Sequence, residues 1–415
     1  MSVELVCSVC GKPYNGGTDR YVCPFCGASI EPREDISPER EDLKELLLRG
    51  GNGEKGVWKY RAFFPGFEDI EPVTMEEGNT PLIHAKALGA AYGMDGLYLK
   101  NETANPSATY KDRFAALAIS QYKHENASAV ALGSAGNAGS AVAAYAAKAG
   151  IPCYVILPAG GVFARAQQAM AYGARFIRAD GEVNDCIELI EKGVSRFGWK
   201  NACTTMLHNP LASEGYKTMV YEMFLQLGER LPDVIVCPIG GGILISKMYR
   251  ACRELIALGL AEKMPRLVGV QAAGCPPVVW AIENGKRETP VWQNPATIAG
   301  SINDPVTFEG VTALHVIRAS NGEAVAVTDD EIKEAMKLCA RKEAVLAEPA
   351  SAATLAAVLK LKEAGKIRAE ETVVTIITGS ALRDLPLFSD PGNEVPFVHP
   401  GNDAEMLAAM DHYQQ

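Results

Sequence analysis

The stretch Asn105-Pro106-Ser107-Ala108-Thr109-Tyr110-Lys111-Asp112-Arg113 runs from a turn into a helix. Proline disfavours the helical conformation at the residue before it, which indicates a turn at Asn105. The apolar run over residues 114–119 predicts the helix. Lys111 then lies in the first helical turn, where burial and the helix dipole both lower a lysine pKa, as suits a lysine that forms a Schiff base. The alternative is a solvated lysine at a helix start, because most lysines are exposed.

The composition is that of an ordinary multidomain globular protein. Its 415 residues are too many for one core, and they are 48% hydrophobic and 22% charged. A net charge of −10 offers no basic surface for nucleic acid or an anionic membrane. The N-terminus has no basic segment followed by an apolar one, and the most apolar region is broken by glycines and a proline. We therefore expect a cytoplasmic protein that binds neither nucleic acid nor membrane.

Two CxxC pairs near the N-terminus predict a structural zinc ribbon over residues 1–30. Each pair offers two thiolates from one tight turn, and two such turns complete a tetrahedral site. The four predicted metal ligands are Cys7, Cys10, Cys23 and Cys26. The alternative is a redox CxxC, but one pair would suffice for that chemistry. The other seven of the eleven cysteines are scattered, which indicates reduced thiols.

From residue 96 onwards, short apolar runs alternate with helical patterns, which predicts α/β structure with parallel sheets. Two strand-to-helix loops are rich in small residues. The first, Gly133-Ser-Ala-Gly-Asn-Ala-Gly139, follows a predicted strand at 129–132, and the second, Gly240-Gly241-Gly242, follows one at 234–238. Loops of this kind present backbone N–H groups to an anion at a helix N-terminus. Thr378 ends the last predicted strand, where ligands bind in α/β sheets. The alternatives are plain turns and a hydroxyl that only caps a strand.

Six motifs in this order resemble the fold-type II pyridoxal-phosphate enzymes, the tryptophan synthase β family, and within it the threonine synthases. They cover most of residues 77–385. The family patterns EGxTPL, NPTGSFKDR, SSGN, PRxxGxQAAG, EPASAA and TGxxLKD are matched at 77–82, 105–113, 134–137, 265–274, 348–353 and 378–384. The resemblance implies two three-layer α/β domains with mostly parallel sheets: a smaller one over 126–204 and a larger one over 31–125 and 205–415. It also implies a homodimer.

The resemblance also implies roles for particular residues. Lys111 would bind pyridoxal 5′-phosphate covalently and move protons at the substrate's α, β or γ carbons. Asn137 would bond the cofactor's O3′, and Thr378 would face its pyridine nitrogen, where a neutral hydroxyl favours elimination and replacement over transamination. The expected phosphate cradle is Gly240, Gly241, Gly242 and Ile243. The expected binding residues for the substrate carboxylate are Ser134, Ala135 and Gly136.

The implied reaction converts O-phospho-L-homoserine and water into L-threonine and phosphate, and departures from the family pattern keep a second reaction open. Ala135 and Ala138 replace hydroxyl residues beside Asn137, and Ala212 stands where relatives carry an arginine, so candidate donors for a substrate phosphate are missing. We name Arg113, Arg165 and Lys217 as candidate replacements.

The second reaction is β-elimination or β-replacement on O-phosphoserine, serine or threonine, for example cysteate synthesis from O-phosphoserine and sulfite. A third hypothesis, from another functional class, is a zinc-ribbon binding protein on an inactive scaffold, and the intact Lys111, Asn137 and Thr378 oppose it.

Overall fold

The computed structural model describes residues 3–17, 20–33, 35–134, 136–158, 166–180, 183–388, 397–400 and 403–412. The strands in these ranges are β1 (Leu5–Cys7), β2 (Ile30–Pro32), β3 (Leu82–His84), β4 (Leu97–Asn101), β5 (Val130–Leu132), β6 (Cys153–Pro158), β7 (Arg175–Ala179), β8 (Lys200–Asn201), β9 (Val234–Pro238), β10 (Arg266–Ala272), β11 (Glu323–Val327) and β12 (Val373–Ile377). The α-helices are α1 (Glu41–Leu48), α2 (Lys86–Tyr92), α3 (Asp112–His124), α4 (Asn137–Ala149), α5 (Gln167–Ala171), α6 (Val183–Phe197), α7 (Thr218–Gln226), α8 (Ile243–Ala257), α9 (Pro277–Glu283), α10 (Gly310–Ala319), α11 (Asp329–Glu343), α12 (Pro349–Glu363) and α13 (Asp403–His412).

The larger sheet has six strands in the order β11-β10-β9-β12-β4-β3, and all neighbours are parallel except β3 and β4. Its central strands β9 and β12 are continuous apolar runs because helices cover both faces. Ile235 and Val374 join a core with α3, α4 and α8, whereas Val234 and Val373 join a core with α2, α11 and α12. This alternation is the two-residue period of a strand buried on both sides.

The smaller sheet has four parallel strands in the order β7-β6-β5-β8. All four strands lie within residues 126–204, and α4 packs against α3 next to the larger sheet. The expected α/β class with mostly parallel sheets is confirmed. The boundaries between the two domains remain a prediction. Among the described residues, no helix is both long enough and apolar enough to cross a membrane.

The N-terminal segment forms a small two-stranded unit, which we call the ribbon (described residues 3–17, 20–32). Its strands β1 and β2 are antiparallel, with Cys7 opposite Ile30. Hydrogen bonds and an ion pair join the ribbon to the larger body. Tyr21 N donates to Leu207 O at 2.8 Å, and Ser29 N donates to the hydroxyl of Thr312 on α10 at 3.0 Å. Arg250 on α8 binds Glu31 at 2.6 Å.

Candidate functional site

Three chain segments meet at the carboxyl edge of the larger sheet. They are the loop before α3, the glycine loop after β9 and the end of β12. Tyr110 N donates to Thr378 O at 2.9 Å, and Ser380 N donates to Ala108 O at 3.1 Å. Carboxyl ends of parallel strands are where α/β proteins bind ligands, and here they surround Lys111.

The loop before Lys111 holds an unusual backbone conformation. Ala108 has φ of +62°, in the left-handed region, and its N–H closes a turn onto Asn105 O at 2.8 Å. A β-carbon makes this conformation unfavourable by roughly 1–2 kcal/mol, which explains why the family motif has glycine at this position. The hydrogen bonds to the end of β12 hold Ala108 in place. The loop therefore carries local strain directly before the reactive lysine.

Lys111 directly precedes α3 as its N-cap residue and lies among aromatic rings and a hydroxyl. Its Nζ donates to Thr204 Oγ1 at 2.9 Å and lies 4.8 Å from the centre of the Tyr110 ring. Burial lowers the lysine pKa to about 8, although Glu309 and other carboxyl groups act in the opposite direction. Within the described residues, no carboxylate comes within ion-pair distance of this ammonium. Lys111 is therefore neutral and nucleophilic in roughly a tenth of molecules at pH 7, far more than an ordinary lysine.

Side chains on the glycine loop would crowd its neighbours. A β-carbon at Gly240 would lie 2.5 Å from Asp304 Oδ2, and one at Gly241 would lie 3.2 Å from Glu309 Oε2. Gly242 has φ of +99° directly before Ile243, the first residue of α8. Backbone N–H groups are thus the donors that the loop presents, and α8 has no side-chain cap on its first turn. This arrangement fits a phosphate group.

Two acidic side chains lie against the glycine loop. Glu309 N donates to Gly241 O at 2.8 Å, and Glu309 Oε1 accepts from Met206 N at 2.7 Å. Burial raises the pKa of Glu309 to about 7 and that of Asp304 to about 6, while Lys111 lowers both. The sequence pattern does not indicate either residue, because neither belongs to a glycine-rich loop or a predicted strand end.

Asn137 is the first residue of α4, and other side chains hold it on both sides. Its amide nitrogen donates to both carboxyl oxygens of Glu348 at 2.9 Å, and its oxygen accepts from Arg383 at 2.7 Å. Burial raises the pKa of Glu348, which Asn137 and Arg383 counteract. Glu348 and Arg383 lie in motifs quoted above, yet only the structure assigns them to this contact.

Thr378 is buried at the end of β12 and belongs to the same polar group. Its hydroxyl lies 2.9 Å from Ser351 Oγ on α12 and 3.2 Å from Glu348 Oε1. Gly379 N donates to Ser351 Oγ at 3.1 Å. Ser351 therefore places a second neutral hydroxyl group beside that of Thr378, where the sequence predicts the Thr378 hydroxyl alone.

The residues expected to bind a substrate carboxylate precede α4. Ser134 and Gly136 lie between β5 and that helix, and Ala135 lies outside the described residues. A β-carbon on Gly139 would overlap Ser134 O, so the loop turns tightly into the helix. Within the described part of this loop, no side chain caps α4. Its first N–H groups are thus suited to an anion.

The candidate replacement donors named above have other partners. Arg113 is fully buried and binds Glu102 and Glu222, each at 2.7 Å. Lys217 is also fully buried and binds Glu214 at 2.7 Å and Glu254 at 2.9 Å. The prediction that either could bind a substrate phosphate is wrong, because both charges are already neutralised inside the protein. Arg165 lies outside the described residues.

The four ribbon cysteines converge on one point. Their Sγ atoms all lie within 4.8 Å of one another, with Cys7–Cys26 at 3.5 Å and Cys10–Cys23 at 3.7 Å. Two Sγ atoms bound to one tetrahedral zinc at about 2.3 Å are about 3.8 Å apart. The spacing therefore suits a metal and is too long for disulfides.

Comparison with known proteins agrees with this geometry. Residues 73–379 match the family described as pyridoxal-phosphate dependent enzyme. The threonine synthase of Methanocaldococcus jannaschii is 35% identical over 91% of this chain and 92% of its own length. That of Methanosarcina acetivorans is 36% identical over 97% of both. Maize serine racemase, 23% identical, superposes with a TM-score of 0.63 over 81% of this chain and 94% of its own, which shows a shared fold. The chain therefore belongs to the pyridoxal-phosphate dependent enzymes, in the branch that includes threonine synthases.

Proposed function

We propose that this chain is a threonine synthase, which converts O-phospho-L-homoserine and water into L-threonine and phosphate. The observation that carries the proposal is the identity of 35–36% to two threonine synthases over more than nine-tenths of every chain concerned. Lys111, with its lowered pKa, and the glycine loop support it, since they supply the nucleophile and the phosphate site that this enzyme class requires.

The residues present fit pyridoxal 5′-phosphate. The N–H groups of Gly240, Gly241, Gly242 and Ile243 would hold its phosphate, and Lys111 would bind its aldehyde carbon. Asn137 would bond O3′, which requires its amide to exchange a contact with Glu348 for one with the cofactor. Thr378, supported by Ser351, would face the pyridine nitrogen.

The bound cofactor supplies an electron sink that stabilises negative charge at the substrate's α carbon. The chain's residues orient the substrate and move its protons. Lys111 would accept the α proton and return protons to neighbouring carbons, for which a pKa of about 8 is well matched. The N–H groups of Ser134, Ala135 and Gly136 hold the substrate carboxylate. The neutral hydroxyl of Thr378 does not stabilise a pyridinium, which favours elimination and replacement.

Turnover of O-phospho-L-homoserine by cofactor-loaded protein tests this function. We expect threonine and phosphate in equal amounts, measured by amino-acid analysis and a phosphate assay. Phosphate without threonine, or no turnover by protein that has bound its cofactor, would contradict the assignment.

The second candidate is a β-eliminase or β-replacement enzyme acting on O-phosphoserine, serine or threonine, such as cysteate synthase. Ala212 favours the unphosphorylated substrates of this candidate, serine and threonine, because this position is buried and offers no donor where the family pattern has arginine. Incubation with these substrates, with and without sulfite or sulfide, separates the two candidates. Turnover that requires sulfite would support the second one.

We also assign a structural zinc ion to Cys7, Cys10, Cys23 and Cys26. The Sγ spacing and the all-thiolate donor set support zinc. Substitution Cys7→Ser is expected to remove about one zinc per chain and to lower the melting temperature, measured by metal analysis and calorimetry. Turnover should persist in variant protein that is folded and cofactor-loaded. Complete loss of turnover in such protein would contradict a purely structural role.

The remaining proposals concern location and assembly. Eleven free cysteines support a reducing compartment such as the cytoplasm. We also propose a homodimer, as the family resemblance implies. Sedimentation of the holoenzyme tests the dimer, and a monomer at micromolar concentration would contradict it. The substrate is a small amino acid.

A further inference from the structure

One carboxyl oxygen of Glu309 has no hydrogen-bond partner in the described part of the chain. The residue is 1% exposed, and its Oε1 is fixed by the N–H of Met206 at 2.7 Å. Its own N–H is bound to Gly241 O at 2.8 Å. Its Oε2 is buried and has no hydrogen-bond partner among the residues that the structure describes. A buried polar atom without a partner is costly, so this oxygen is expected to meet a ligand.

The position of Oε2 indicates which ligand it meets. It lies 3.2 Å from the point where a β-carbon on Gly241 would be, and the β-carbon of Glu309 lies 3.3 Å from the corresponding point on Gly242. Glu309 thus packs directly against the loop on which we placed the cofactor phosphate. Glu309 and Lys111 are also close enough to shift each other's pKa, so the carboxyl group of Glu309 lies near both the glycine loop and the lysine.

A charged carboxylate could not remain beside a phosphate dianion, because like charges at this separation repel strongly in a buried site. The charged side chains that face Glu309 are Lys111 at the start of α3 and Asp304 in the loop before α10. From the segment between β8 and α7, the N–H groups of Met206 and Leu207 face it. Burial raises the pKa of Glu309 to about 7, and a bound phosphate would raise it further.

We propose that Glu309 is a cofactor-binding residue: its neutral carboxyl group donates a hydrogen bond from Oε2 to the cofactor phosphate, while Oε1 accepts from Met206 N. The proposal depends on the phosphate position at Gly240–Ile243 and does not depend on which amino acid is the substrate. A buried carboxylic acid that stays protonated in order to donate is a known use of a raised pKa.

The proposal makes phosphate binding dependent on pH. Binding that requires a protonated Glu309 weakens as pH rises above the pKa of that group, by up to about tenfold per pH unit. Lys111 has the opposite effect on pyridoxal phosphate, since its neutral amine is the nucleophile. Pyridoxine 5′-phosphate, which has no aldehyde, removes the contribution of Lys111 and is the appropriate probe.

The test is calorimetric titration of full-length, cofactor-free protein with pyridoxine 5′-phosphate between pH 6 and 9. We expect the dissociation constant of the unmodified protein to rise at least tenfold between pH 7 and 9. Glu309→Gln offers an N–H donor at every pH, so it should bind within about threefold of the unmodified protein at pH 7 and lose most of the pH dependence. Glu309→Ala should bind at least tenfold more weakly at pH 7, the effect of about 1.4 kcal/mol from one lost hydrogen bond to a charged group.

Glu334→Gln, the same substitution at an exposed position on α11, is the matched control and should keep the pH dependence. Pyridoxine without phosphate should show no difference between the Glu309 variants. An unchanged pH dependence in Glu309→Gln, or equal weakening by Gln and Ala, would overturn the proposal. If Glu309→Ala does not fold, the phosphorus NMR shift of bound pyridoxine 5′-phosphate replaces that measurement. In the unmodified protein this shift should change with pH as Glu309 loses its proton, and in Glu309→Gln that change should be absent. These readouts are independent of turnover, so a failure to process O-phosphohomoserine would leave the result intact.

Discussion

Lys111 and Arg113 are two residues apart at the start of α3, yet their surroundings differ completely. Arg113 is enclosed by the carboxylates of Glu102 and Glu222, and these neighbours hold its pKa well above the ordinary value. Lys111 has the hydroxyl of Thr204 as its hydrogen-bond partner, and its pKa falls to about 8. The difference shows that burial alone does not determine what a cation does. A buried cation with carboxylate partners stays charged, and one without them loses its proton more easily and can act as a nucleophile.

The largest expected effect comes from substituting Lys111, the cation that has no carboxylate within ion-pair distance among the described residues. Lys111→Ala should lower turnover of O-phosphohomoserine by at least about 10³-fold, since both the covalent link to the cofactor and the proton carrier are lost. The bound cofactor should also lose its Schiff-base absorbance. Lys123→Ala, at an exposed position near the other end of α3, is the control and should leave both unchanged. Surviving activity in Lys111→Ala would refute the central assignment.

Substituting Arg113, the cation that is paired with carboxylates, should mainly lower the stability of the fold. Arg113→Met leaves the buried Glu102 without its cationic partner and leaves Glu222 with Lys100 alone, and we expect a loss of roughly 3–5 kcal/mol in the free energy of unfolding. Urea denaturation of the cofactor-free protein measures it. Arg40→Met, which breaks a surface pair with Asp42, should cost less than about 1 kcal/mol. Similar losses in both variants would mean that the buried network contributes little.

The pH dependence of covalent cofactor binding tests whether the pKa of Lys111 is lower than that of an ordinary lysine. A lysine with a pKa of about 8 is neutral in roughly a tenth of molecules at pH 7 and in most at pH 9. The initial rate of pyridoxal-phosphate capture by cofactor-free protein is trapped with borohydride at cofactor concentrations that saturate the protein at every pH, so that the pH dependence proposed for phosphate binding does not contribute. This rate should therefore rise about tenfold between pH 7 and 9 and then level off. A rate that keeps rising to pH 10 would indicate that Lys111 has the pKa of an ordinary exposed lysine.

The smallest expected effect concerns Ala108, in the loop between β4 and Lys111. Ala108→Gly relieves the left-handed conformation but makes the unfolded chain more flexible, so a stabilisation of no more than about 1 kcal/mol is expected. Thermal denaturation measures it. Ala147→Gly, at an exposed position in α4, should instead destabilise by about 1 kcal/mol. Destabilisation by both variants would show that Ala108 is not strained.

The parts of the site that the sequence predicts are local in the chain. Lys111, the glycine loop and Thr378 all follow apolar strands, and the boundaries of β9 agree with the prediction. Thr204, Glu309 and Arg383 are not predicted as site residues, because they approach from distant segments and no local pattern identifies them. The strand β11 and helix α10 are also not predicted. The segment 310–319 begins with Gly-Val-Thr, residues that form helices poorly, and tertiary packing decides its structure.

The docking of the ribbon has a consequence for the order of biosynthesis. The hydroxyl of Ser8 lies 3.2 Å from that of Thr312, although 304 positions separate them in the chain. At a translation rate of about 5–20 residues per second, the ribbon leaves the ribosome about 15–60 s before its docking helix exists. During that interval its four thiols and its docking face are exposed to the cell. Early capture of the metal would protect the thiols from oxidation and would leave a preformed surface on which α8 and α10 assemble as they emerge.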